Sequence, residues 1–177
     1  MMQLDTGGHV SRIWDVLFTP DGERLISAGD DKVIRVWNLH TGFTEKIIRG
    51  MTASGVAGKI QSMALSPDGR TLAVGVYFPH DEGHESTVNL DGEYAGFLRL
   101  YDIGTGELIG RLKGHKSSVL GLAFSPDSRF LVSGGGKRSN SNTVAIVWDV
   151  AQRKSIHYLK GHKAEIYAVG FSADGQR

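Results

Sequence analysis

The sequence predicts an all-β chain built from one repeated unit, a four-stranded antiparallel meander. Three observations lead to that reading. A strand-and-turn segment recurs four times in register. Glycine is abundant, 24 in 177 residues, without a collagen-type period. The apolar runs between turn signals are short and rich in β-branched and aromatic residues.

The recurring segment is Phe18-Thr19-Pro20-Asp21-Gly22, then Leu65-Ser66-Pro67-Asp68-Gly69, Phe124-Ser125-Pro126-Asp127-Ser128 and Phe171-Ser172-Ala173-Asp174-Gly175. Each copy is preceded by apolar residues at matching places: Ile13 and Val16, Ile60 and Met63, Val119 and Leu122, Ile166 and Val169. Proline presets φ and glycine accepts a positive φ, so each copy is a strand ending in a tight turn. A second apolar run follows at 24–28, 71–76 and 129–134. A third alternates, as Val33-Ile34-Arg35-Val36-Trp37, Phe97-Leu98-Arg99-Leu100-Tyr101 and Val144-Ala145-Ile146-Val147-Trp148. Thr41-Gly42 and Thr105-Gly106 then supply turn chemistry before a closing run at 45–49, 107–112 and 154–160.

These units resemble the WD-repeat family, whose repeat of about 40–45 residues opens near Gly-His and closes near Trp-Asp. Gly8-His9, Gly114-His115 and Gly161-His162 stand at the openings, and Trp37-Asn38, Tyr101-Asp102 and Trp148-Asp149 at the closings. The resemblance implies a β-propeller whose blades are four-stranded antiparallel sheets. Blades are expected at approximately 8–50, 58–113 and 114–160, with a fourth begun at 161–177, so the ring is partial or incompletely closed. It also implies a buried hydrogen-bonded set within a blade: His9, Ser27, Asp31 and Trp37 in the first, and His115, Ser133, Asn142 and Trp148 in the third. The middle unit departs, with Lys59, Val74, Ala95 and Tyr101 at those positions. It is therefore expected to be held by apolar packing alone and to open most easily.

The repeat period is stretched at 77–95 and 135–142, between the second and third strands. In a meander these connections leave on the edge that carries the Gly-His loops. The first insertion holds Tyr77, Phe78 and Tyr94 among acidic residues, and the second holds Lys137 and Arg138. Long loops on a rigid scaffold are common binding elements, so these five residues are candidate partner contacts. His80-Asp81-Glu82-Gly83-His84-Glu85 has the side chains of a metal site. However, Pro79 and Gly83 oppose the helix that would align its histidines, and no metal or cofactor is expected. Aligned copies also place Trp14, Gln61, Leu120 and Tyr167 together on the innermost strand. There the step from Ile13 to Val16 breaks alternation and suggests a bulge that re-aims a side chain. Trp14 and Tyr167 are candidate contacts near the channel mouth.

No Gly-x-Ser-x-Gly elbow or phosphate loop is present, and the carboxylates fall in turns, so the chain is not expected to be an enzyme. A net charge of +1 carries no basic stripe, which argues against a nucleic-acid partner. With no cysteine there are no disulfides or thiolate metal sites. No apolar run reaches the roughly 20 residues of a membrane span, and residues 1–10 do not form a signal peptide, so a cytoplasmic location is expected. The function expected is a non-catalytic scaffold that docks a protein or peptide on its loop face. The alternative is a sensor or targeting propeller of a larger protein whose effector lies outside this sequence. Stacked units are stabilised by their neighbours, so the missing blades are expected from the rest of a longer chain or from another subunit.

Overall fold

Each repeated turn segment is closed by a hydroxyl and a carboxylate acting together. In the computed structural model, which describes residues 7–50, 57–77, 98–115, 117–136 and 143–177, Thr19, Ser66, Ser125 and Ser172 donate their hydroxyls to Asp21, Asp68, Asp127 and Asp174 over 2.5–2.6 Å. Each of these hydroxyls also accepts the backbone N–H that begins the next strand, as at Arg24, Thr71 and Phe130. The hydroxyl donors, with a backbone N–H two residues on, hold all four carboxyls below the usual carboxylate range. The fourth copy keeps the full pattern, with Arg177 donating to Ser172. The turn is therefore a local property of the sequence.

These turns join strands into three antiparallel sheets. The first contains β1 (Ile13–Phe18), β2 (Arg24–Gly29), β3 (Val33–Asn38) and β4 (Thr44–Arg49), paired in chain order. The second contains β5 (Ile60–Leu65), β6 (Thr71–Val76), β7 (Leu98–Asp102) and β8 (Leu108–Leu112), and the third β9 (Val119–Phe124), β10 (Phe130–Gly135), β11 (Val144–Asp149) and β12 (Lys154–Leu159). No helix occurs among the described residues. Residues 166–171 find no ladder partner and form no strand, although they lie against the third sheet.

The sheets stack through their first strands. A small residue on the second strand of one sheet receives the leading aliphatic residue of the next sheet's first strand. A Cβ at Gly75 would come within 2.9 Å of Val119 Cγ1, and one at Gly134 within 2.5 Å of Ile166 Cγ2. Ala28 is the equivalent in the first sheet, and it and Ile60 are fully buried. Polar bonds cross the same joints: Asp15 accepts the Met63 N–H at 2.7 Å, and Ser62 donates to the Val119 carbonyl at 3.0 Å. Burial raises the Asp15 pKa.

Within sheets, the expected hydrogen-bonded set is complete in the first. Trp37 Nε1 donates to Ser27 Oγ at 2.8 Å, Ser27 Oγ and His9 Nε2 lie 2.7 Å apart, and His9 Nδ1 meets Asp31 Oδ2 at 2.7 Å. With the carboxylate accepting from Nδ1, the serine donates to Nε2, which directs the chain from indole to anion. The third sheet repeats the Trp148–Ser133–His115 links at 2.7 Å each. Asn142 lies outside the described residues, and His115 Nδ1 has no partner among those described. Burial lowers the His115 pKa to about 4.

The middle sheet has the apolar interior expected of it, with Leu72, Val74, Leu98, Leu100, Tyr101 and Leu112 all buried. Apolar packing does not act alone, however. Lys59, at the histidine position, reaches out of its own sheet to Asp30 Oδ2 at 2.9 Å. The two polar bonds through Met63 and Ser62 also tie this sheet to both neighbours.

Two outcomes follow from this packing. Gly75→Ala should lower unfolding free energy by about 1–3 kcal/mol in urea titrations, because the methyl meets Val119 and a backbone carbonyl in a filled joint. Acidification should also destabilise the chain through His115. The unfolded imidazole takes up its proton near pH 6.5, but the folded one only near 4. Its contribution is fully present above 6.5 and falls, on the order of 3 kcal/mol in total, as pH drops toward 4. Urea midpoints across that window should be flatter for His115→Gln.

Candidate functional site

All three inner strands carry a bulge at the aligned position predicted from sequence. The ladder skips Trp14 between Ile13 and Asp15, Gln61 between Ile60 and Ser62, and Leu120 opposite Gly134 and Gly135. The extra residue leaves the ladder, so its side chain is turned away from the packed joint. These residues and Tyr167 line one cavity of about 330 Å³ together with Asp15 and Ser62. Gly121 leaves room for the Tyr167 backbone, since a Cβ there would lie 2.7 Å from its carbonyl oxygen.

Trp14 is exposed, 45% of its surface, yet it is fixed in place. Its indole Nε1 donates to Asp30 Oδ1 at 2.7 Å. The Arg12 guanidinium lies over its ring, 4.9 Å from the centroid. Asp30 uses its other oxygen for Lys59, and that hydrogen bond, with smaller help from Trp14 and Arg12, holds its carboxyl below the usual range. Arg12, Trp14, Asp30 and Lys59 thus form one connected cluster on the edge where the first strands begin and the second-to-third connection turns. A held aromatic surface of this kind loses little side-chain freedom when a partner covers it. Tyr167, 69% exposed, is on the far side of the same cavity.

Of the other candidates, Tyr77 is half-buried and its backbone pairs with Lys59 through a 2.7 Å bond. Phe78, Tyr94, Lys137 and Arg138 lie outside the described residues, as does the segment 80–85 considered for a metal. Among the described residues no group of histidines and carboxylates is arranged to hold a metal ion. Lys59 stands out in the sequence only as a departure at the histidine position, and Asp30 and the bond between them do not. The available signal was the doublet Asp30-Asp31, of which His9 needs only one carboxylate.

With blade order, bulges and hydrogen-bonded sets in view, the comparison with known proteins is direct. The profile of the family described as WD domain, G-beta repeat, matches residues 2–38, 106–149 and 153–177. The chain belongs to the WD-repeat family. The stretch without a match, 39–105, contains most of the middle blade, which nevertheless has the same strand order as its neighbours. Among curated relatives, the nuclear distribution protein PAC1 of Arthroderma otae is 25% identical over 174 residues, covering 81% of this chain and 37% of that protein. Autophagy-related protein 16 of Arabidopsis thaliana is 29% identical over 129 residues, covering 72% and 21%. The chain thus spans well under half the length of these relatives. The solved RRP9 WD40 repeats superpose with a TM-score of 0.72 at 24% identity, covering 92% of this chain and 43% of that one. That likeness shows a WD-repeat propeller fold, of which the three blades here make an open arc.

The cluster around Trp14 makes a measurable prediction. Lys59→Met should raise the Asp30 titration toward the ordinary carboxylate range in NMR. The Trp14 indole proton should exchange faster in the same variant, because Asp30 is no longer held from its other side.

Proposed function

We propose that this WD-repeat arc is a non-catalytic scaffold that docks a protein or peptide on its loop face, with Trp14 as the central anchor. The observation that carries this reading is the exposed indole held by Asp30 and flanked by Arg12. Trp and Arg are over-represented among residues that dominate binding energy. The adjoining cavity, ending at Tyr167, has the size of a pocket for one or two side chains. His9 and His115 are occupied in structural bonds, which supports a role without bond-breaking chemistry. A cytoplasmic setting belongs to the same proposal.

A second reading has its own support. Ile13, Val16 and Phe18 are exposed on the first blade, Phe18 by 64%, whereas in the second their counterparts Ile60 and Met63 are buried and Leu65 is half-buried. The same residue types are covered wherever a blade precedes them. We infer that another blade covers this flank, from a longer chain or another subunit, which fits a propeller module within a larger protein.

Partners captured by affinity purification with the wild-type chain should be lost with Trp14→Ala. A partner so identified should bind that variant about 30-fold or more weakly by calorimetry, the level of a hot-spot residue. Unchanged affinity would remove Trp14 from the site.

A further inference from the structure

The outer edges of the blades show a difference that neither docking nor stacking explains. At the joint between the first and second blades, Lys46 on β4 packs over Gly106 in the turn after β7. Its ammonium is bonded to the Ile103 and Gly104 carbonyls. At the next joint the large and small residues are exchanged. Gly110 on β8 leaves the space, and Arg153 in the turn before β12 fills it, with Cδ and Nε 3.1 Å from where a Cβ at 110 would stand.

The exchange has a conformational cost. Gly42 and Gly106 occupy that turn position with φ of 73° and 81°, whereas Arg153 adopts 55° with a side chain attached. A residue other than glycine in the left-handed region is strained, and such strain concentrates at functional sites. The surrounding positions change as well. By ladder register, Ile47, Gly106 and Glu107 at the first joint correspond to Arg111, Arg153 and Lys154 at the second. The result is a cleft of about 380 Å³ lined by Arg111, Lys113, Arg153, Lys154 and Ser155. Four cations and a hydroxyl converge there from two blades. The first joint serves as an internal control: the same scaffold closes without this set, so stacking does not require it.

We propose that this cleft binds a phosphoryl group carried on a side chain of a protein partner. Guanidinium forks and ammonium groups together match a doubly charged oxyanion, and charge-assisted bonds of this kind are the stronger ones. A nucleic-acid backbone would need a continuing basic track, but the equivalent position at the adjacent joint is Glu107 and the whole chain carries only +1. The choice of a protein as carrier rests on the docking reading above, whereas the anion site itself does not.

The test is an amide NMR titration of the full chain with a short glycine-flanked phosphoserine peptide at constant ionic strength. The expected result is phosphate-dependent shifts at Gly110, Arg111, Arg153 and Lys154, without change at the Trp14 indole, so this site and the loop face report separately. The combined variant Arg111→Ile, Arg153→Gly, Lys154→Glu, which puts the first joint's residues at these three positions, should bind about tenfold or more weakly. Arg153→Gly alone should also weaken the peptide, because it removes one guanidinium from the cleft. Equal shifts with the unphosphorylated peptide, or unchanged binding by the combined variant, would overturn the proposal. So would tighter binding at these amides by oligouridylate RNA, by vesicles containing phosphoinositides, or by inorganic phosphate.

Discussion

Blade stacking depends on a steric match between one small residue and one aliphatic residue at each joint. Val119 closes over Gly75 and Ile166 over Gly134, at distances that leave no room for a methyl group. Interiors packed at crystal-like density cannot absorb an added methyl without moving a neighbour. That contact sets how closely successive inner strands approach. It thereby places Asp15 against the Met63 N–H and Ser62 against the Val119 carbonyl. The bulges beside these bonds then face a shared cavity instead of the joint.

The three blades use that stacking with different internal chemistry. The first ends its hydrogen-bonded chain on a carboxylate, and the third leaves a buried histidine whose charging burial opposes. The second has no such chain and uses Lys59 to grip the blade before it. This substitution is more than a lost motif, because the bond it makes holds Asp30, and Asp30 orients Trp14. The residue that departs most from the repeat pattern is thus the one that links blade packing to the proposed docking surface. The outer edge has a parallel case, where exchanging Lys46 and Gly106 for Gly110 and Arg153 keeps the joint filled but gathers cations around it.

By itself, the sequence determined the strands, their order and the turns. Those depend on residues a few positions apart: a hydroxyl, a carboxylate and a positive-φ residue suffice to close each turn, even in the fourth copy, whose described residues form no ladder. The second and third strands are buried on both faces, Arg35 and Arg99 included, so alternation did not set their interior side; the broken alternation before Val16 marked the bulge at Trp14. The Trp–Ser–His links were legible as well, because histidine and serine recur 18 residues apart in both blades and the tryptophan closes the third strand of each. Only the tertiary structure decided the Lys59–Asp30 pair, the hold on Trp14 and the meeting of Arg111 with Arg153. Those contacts join residues of different repeats, and no periodicity in the chain specifies which side chains from two neighbouring sheets will meet. Their partnership is set by the distance and angle at which whole blades stack, a property of packed surfaces and not of local sequence.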